Sequence, residues 1–142
     1  MKEIGQRVLS QNNRLTADPI FIVQERIEFR CEVGEGDMDI WIDDEGNSVD
    51  GETEEKLNEL DSPSADRIFS EEEIDFLSSH ELIGIRYHWD YVMCAFTEEG
   101  ANEYIFLNGH RHRGKLRTYV DSLYRCPEMI AIRNFLIEQA KL

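Results

Sequence analysis

Long apolar runs are missing from this 142-residue sequence. No segment approaches the roughly 20 apolar residues that span a bilayer, and MKEIGQRVLSQNN at the start holds no apolar core of about seven. Neither a membrane span nor an obvious export signal is expected. Cysteine is scarce: Cys31, Cys94 and Cys126 lie far apart, make no C-x-x-C pair and leave one over. That pattern favours buried thiols in a reducing compartment over a disulfide framework. The sequence also lacks a G-x-S-x-G elbow, a Walker loop and a repeated H-x-[ST] pair, so neither an enzymatic activity nor a cofactor is expected. What is present suffices for one domain over 1–142, because 41% of the residues are hydrophobic and 10% aromatic.

Basic charge is sparse and unevenly placed. The net charge is −15, yet residues 32–75 hold 18 of the acidic residues against only Lys56 and Arg67, which leaves the rest of the chain near neutral. The 32–75 stretch reads as an acidic hairpin and loop insertion. One interpretation is a solvated, solubilising surface. Another is a decoy that imitates nucleic acid for a basic partner, such as a host defence nuclease or effector.

Hydrophobic periodicity outlines the elements. Residues 3–10 suit a short helix, followed by a turn-rich stretch, QNNRLTADP. From Ile20 to Cys31 a strand places Phe21, Val23, Ile27, Phe29 and Cys31 on one face, with Glu25 as the misfit. MDIWIDDEGNSV predicts a hairpin. Residues 50–66 are expected to form at most a short helix near 54–60 and otherwise a mobile loop. Ser70 and Glu73 form a capping box for a helix over 71–78, with Ile74 and Leu77 inward. A long strand follows over 82–97, its second half expected to be buried on both faces. Thr97 caps a helix burying Ala101, Tyr104 and Ile105, and Asn108-Gly109 is expected to stop it in a left-handed conformation. A strand over 117–121 and a helix opened by Pro127, with Met129, Ile132, Leu136 and Ala140 on one face, complete the chain. The fold class is therefore α+β, an antiparallel sheet with helices packed largely on one face. Ile130 and Ile137 broaden the last helix's apolar surface, which predicts a homo-oligomer, a dimer or larger.

Chemistry concentrates in NGHRHRGKLRTYVDSLYR, residues 108–125, which carries Arg111, Arg113, Lys115, Arg117 and Arg125 with His110 and His112. His88, His110 and His112 invite a metal reading, but guanidiniums alternate with the last two, so no metal is expected. An anion suits the segment better. Arginine offers planar, permanently charged forks to phosphate oxygens, and Tyr119 and Tyr124 can stack on a base. The competing interpretation pairs these arginines with the acidic stretch of the same molecule.

Three segments, QNNRLTADPIFIVQ (11–24), FTEEGANEYIFLNGH (96–110) and YVDSLYR (119–125), together resemble a group of small bacteriophage and prophage proteins. That group is similar to the phage anti-Thoeris proteins, which act as sponges for the cyclic ADP-ribose isomers made by bacterial TIR-domain enzymes. The resemblance implies binding of such an isomer without cleavage, in the cytoplasm of an infected bacterium. Cyclic oligonucleotides are a second implied ligand class, and no direct contact with nucleic acid or membrane is implied. Carried over position by position, Asn108 and Arg125 match the ADP-ribose site, Phe96 would stack on the base, and Arg14 would meet a phosphate. Arg117, Tyr119 and Asp121 complete the candidate set. The sequence departs from the group at Arg111 and Cys126, where Asn is usual, and in its acidic 32–75 stretch.

Overall fold

The computed structural model describes residues 1–14, 16–62 and 68–142. Its helices are α1 (Lys2–Ser10), α2 (Gly51–Leu60), α3 (Glu71–Ser78), α4 (Glu98–Asn108) and α5 (Pro127–Lys141). Its strands are β1 (Pro19–Cys31), β2 (Met38–Ile42), β3 (Glu81–Ala95) and β4 (Leu116–Ser122). The strands join in the order β2-β3-β1-β4, and the described registers are antiparallel. The fold is α+β, an antiparallel sheet with helices packed against it. Among the described residues no helix is long and apolar enough to cross a membrane.

Contacts divide the chain into two units, Met1–Ile27 with Trp89–Leu142, and Glu28–His88. In the first, β1 and β4 pair Phe21 with Val120, Val23 with Thr118 and Glu25 with Leu116, and these residues share one face. Ile20 opposite Asp121, Ile22 opposite Tyr119 and Gln24 opposite Arg117 make the other. α4 covers the first face: Ala101 is fully buried with Phe21 and Val23, and Tyr104, Ile105, Leu116 and Val120 pack around them. Complete burial of a side chain such as Phe21 stabilises the fold by about 1.5–3 kcal/mol. Thr97 accepts the Gly100 N–H at 3.0 Å and so starts α4 as expected.

Three expectations fail in this unit. Gly109 is right-handed, at φ −55°, and α4 runs into a 3₁₀ turn over Gly109–Arg111 in place of a left-handed stop. No residue from Val92 to Phe96 is fully buried, and Cys94 is exposed. On α5 the stripe turns toward Arg133, which is buried and lies 3.5 Å from Asp18, while Ile132 stays 46% exposed. A guanidinium held by a carboxylate has taken a place that hydrophobicity alone would give to isoleucine.

The second unit contains the whole acidic stretch. β2 pairs with β3, Met38 opposite Ile85 and Ile42 opposite Glu81, so the expected hairpin is reduced to a tight turn closed by one bridge, Ile42 to Ser48. Asp43 builds that turn by accepting the N–H groups of Glu45 and Asn47. α2 is longer than expected, because Asp50 caps it through the Thr53 N–H and it buries Leu57 and Leu60. Trp41 ties it down with an Nε1–H bond to Asn58 at 2.7 Å. The loop expected after it, 61–66, lies from 63 onward outside the described residues. α3 has the reciprocal Ser70–Glu73 capping box, but Ile74 is 52% exposed, while Phe76 is half-buried with the Lys56 ammonium 4.3 Å from its ring centre. The thiols are not buried: Cys94 and Cys126 are exposed, Cys31 is half-buried, and all are free.

α1 and α5 pack closely, and Gly5 is the contact point. A Cβ there would lie 1.8 Å from the Leu136 carbonyl oxygen. Ordinarily, replacing an interior helical glycine by alanine stabilises a helix by about 1 kcal/mol. Gly5→Ala should instead destabilise this protein by about 1–3 kcal/mol, since two helix backbones must separate. Urea denaturation of the variant checks the sign.

Candidate anion-binding face

β4 alternates, and alternation sorts the candidate residues. Arg117, Tyr119 and Asp121 lie on the face away from α4, together with Gln24 of β1. Arg117 donates from Nε to Gln24 Oε1 at 2.9 Å. Its guanidinium carbon stands 3.8 Å from the Trp89 ring centre and 5.8 Å from that of Tyr119. Tyr119 is 46% exposed. Asp121 is exposed and bonds locally, accepting the Ser122 N–H at 2.7 Å.

Among the described residues, Arg111, Arg113, Lys115, Arg117 and Arg125 form no ion pair with a carboxylate. Arg125 is exposed, 5.0 Å from the Tyr124 ring centre and two residues before Pro127.

The remaining candidates lie elsewhere. Arg14 grips Glu98 through Nε at 3.0 Å and Nη2 at 2.6 Å. With Phe21, Thr118 and Val120 these two line a cavity of about 190 Å³, on the opposite face of β4 from Arg117. Arg14 has a left-handed backbone, φ +54°, supported by the Asn12 side chain accepting its N–H at 2.8 Å. Gln11 donates to the Phe96 carbonyl at 2.9 Å and accepts the Glu98 N–H at 3.0 Å. The QNNR motif thus builds the turn from β3 into α4, and Phe96 sits half-buried in that turn. Asn108 spends one N–H on the Tyr104 carbonyl at 3.1 Å. Arg117, Tyr119 and Asp121 come together; Arg14 and Phe96 share a second locality, with Asn108 and Arg125 at the ends of helices.

Sequence reading missed a polar cluster behind the basic segment. Glu25 accepts the Gly114 N–H at 3.0 Å and lies 3.3 Å from His112 Nδ1, and the Tyr104 hydroxyl lies 3.1 Å from His112 Nε2. With Nδ1–H directed at the carboxylate, Nε2 accepts a hydrogen bond from the tyrosine hydroxyl. The clue was available, because Glu25 broke the period of β1. The Gly114 N–H, followed by His112, holds the Glu25 carboxyl below its usual pKa. Gly114 is required by space as well, since a Cβ there would lie 2.1 Å from the Arg26 carbonyl oxygen. The clasp fixes the segment that displays His110, Arg111, Arg113 and Lys115 to solvent.

Among the described residues no group of three or more His, Cys, Asp or Glu is arranged to hold a metal ion. No protein-family model, curated protein or solved structure matches the chain.

The clasp has a definite pH dependence. A carboxylate with a lowered folded pKa stabilises the fold fully above its ordinary pKa, and the contribution is lost as pH falls through the depressed value. Glu25→Gln should lower the melting temperature at neutral pH, and the gap from the parent protein should shrink on acidification. A gap that stays constant from neutral to strongly acidic pH would remove Glu25 from this role.

Proposed function

We propose that this protein binds and sequesters a cyclic ADP-ribose-type nucleotide without cleaving it, acting against a nucleotide-signalled defence in a bacterium infected by phage. The observation that carries this reading is Arg117, a half-buried guanidinium over the Trp89 ring with no carboxylate partner among the described residues, in a chain of net charge −15. Acidic side chains were plentiful. An arginine left without one, beside an exposed tyrosine, offers a fork to a phosphate and a ring to a base. Arg125 and Tyr124 repeat the combination nearby in sequence. The resemblance of segments 11–24, 96–110 and 119–125 adds the ligand class, with cyclic oligonucleotides as a second class. All three segments fall within one contact unit.

Sequestration requires tight binding, and nanomolar affinity corresponds to about −12 kcal/mol. It also suits an assembly. α5 leaves Phe135 51% and Ile132 46% exposed, and a homo-oligomer would cover them. The acidic stretch supports a second reading, as a mimic of nucleic acid. Its glutamates Glu52, Glu54, Glu55, Glu71 and Glu72 are exposed on two capped helices.

Titration calorimetry with a cyclic ADP-ribose isomer, followed by heat denaturation and analysis of the released ligand, tests the proposal. Intact ligand is expected, and cleaved product would overturn sequestration. Arg117→Ala and Arg125→Ala should each weaken binding by about 1.5–3 kcal/mol, tenfold or more, with the fold retained. Arg117→Lys should recover part of the loss, because it restores charge without the planar fork. If neutralising the five glutamates abolishes phage protection while nucleotide binding persists, the mimic reading prevails.

A further inference from the structure

We infer that the outer face of α4 is a docking surface for a basic, amphipathic protein segment, an interaction separate from nucleotide binding. Ala101, Tyr104 and Ile105 turn inward to the core. Phe106 and Leu107 do not: they are 87% and 64% exposed. The packed face of the helix is filled without them, so folding does not account for a phenylalanine in water. With Glu98, Glu99, Asn102 and Glu103 they make up one open face of α4. An apolar patch rimmed by polar residues is the usual mark of an interaction site.

The charge around this face selects the partner's sign. Arg7 of α1 reaches Glu3 at 3.0 Å and both Glu99 and Glu103 at 3.7 Å, so three carboxylates share one guanidinium. Glu98 is different, because Arg14 already neutralises it. The surplus negative charge lies beside Phe106 and Leu107, and Glu99 and Glu103 keep 60% and 55% of their side chains exposed. A segment with lysine or arginine about one helical turn from a bulky apolar residue satisfies both features. Its cation meets Glu99 and Glu103, while its apolar side chain covers Phe106, whose ring face also attracts cations.

Fluorescence anisotropy with the full chain and a labelled amphipathic helical peptide of leucine and lysine tests this, against a leucine–glutamate peptide of the same pattern. Binding of the first peptide and not the second is expected. Phe106→Ser leaves the net charge unchanged and removes an exposed ring, so it should weaken binding about tenfold or more with an unchanged melting temperature. Glu99→Gln with Glu103→Gln should weaken binding and flatten its salt dependence. Because most acidic charge lies in 32–75, a Glu52→Gln, Glu54→Gln, Glu55→Gln variant is the control and should bind as the parent does. The proposal is overturned by unaltered binding in Phe106→Ser, by equal binding of both peptides, or by lost binding in the control. It is equally overturned if light scattering shows an assembly of this chain that dissociates on Phe106→Ser, since a second copy would then be the occupant.

Discussion

Glu25 stands on the face of β1 that also carries Phe21 and Val23. A carboxylate beside an apolar core must be hydrogen-bonded or it destabilises the fold, and this requirement organises one end of the first unit. The segment after α4 bends back so that the Gly114 N–H and His112 reach the carboxylate, with Tyr104 of α4 on the far side of the imidazole. The same bend brings the Lys115 carbonyl to the Arg26 N–H at 2.9 Å, next to the first residue pair of the β1–β4 ladder, Glu25 with Leu116. Register then follows from strand alternation, and it decides that Arg117, Tyr119 and Asp121 lie away from α4.

A second junction does comparable work with side-chain amides. Gln11 bonds to both sides of Thr97, and Arg14 grips Glu98, so the loop after α1 determines how β3 hands over to α4. Segments 11–24 and 96–110 meet at this turn. Their contacts there build the turn, and Arg14 in particular is paired with Glu98. Among the described residues Arg111, Arg113, Arg117 and Arg125 have no carboxylate partner. Anion binding is therefore better supported for Arg117 and Arg125 than for Arg14.

Local chemistry was legible in the sequence wherever one or two neighbouring residues suffice. The Ser70–Glu73 box, the Thr97 cap and Pro127 opening α5 depend on groups within a few positions of one another, and each occurs as read. The alternation of β1 also identified the core residues Phe21 and Val23. Other expectations failed because distant partners decide them. Arg133 occupies the α5 stripe since Asp18 is within reach. α2 exceeds a short acidic helix because Trp41 bonds to Asn58 while Leu57 and Leu60 are buried. Gly109 gives no left-handed stop, since the chain continues through a 3₁₀ turn toward the Glu25 clasp.

The sequence by itself determined the α+β class, the order and approximate limits of most elements, and the contrast between an acidic 32–75 and a basic 108–125. Those properties follow from periodicity, capping and charge, all short-range along the chain. Tertiary structure alone decided which candidates meet. Trp89 and Gln24 reach Arg117 from residues far away in the chain, and Phe106 and Leu107 are exposed because Tyr104 and Ile105 already fill the inward side of α4. A helix or strand pattern specifies faces. Which face meets water, and which charge is left unpaired, depends on what the rest of the chain brings against it.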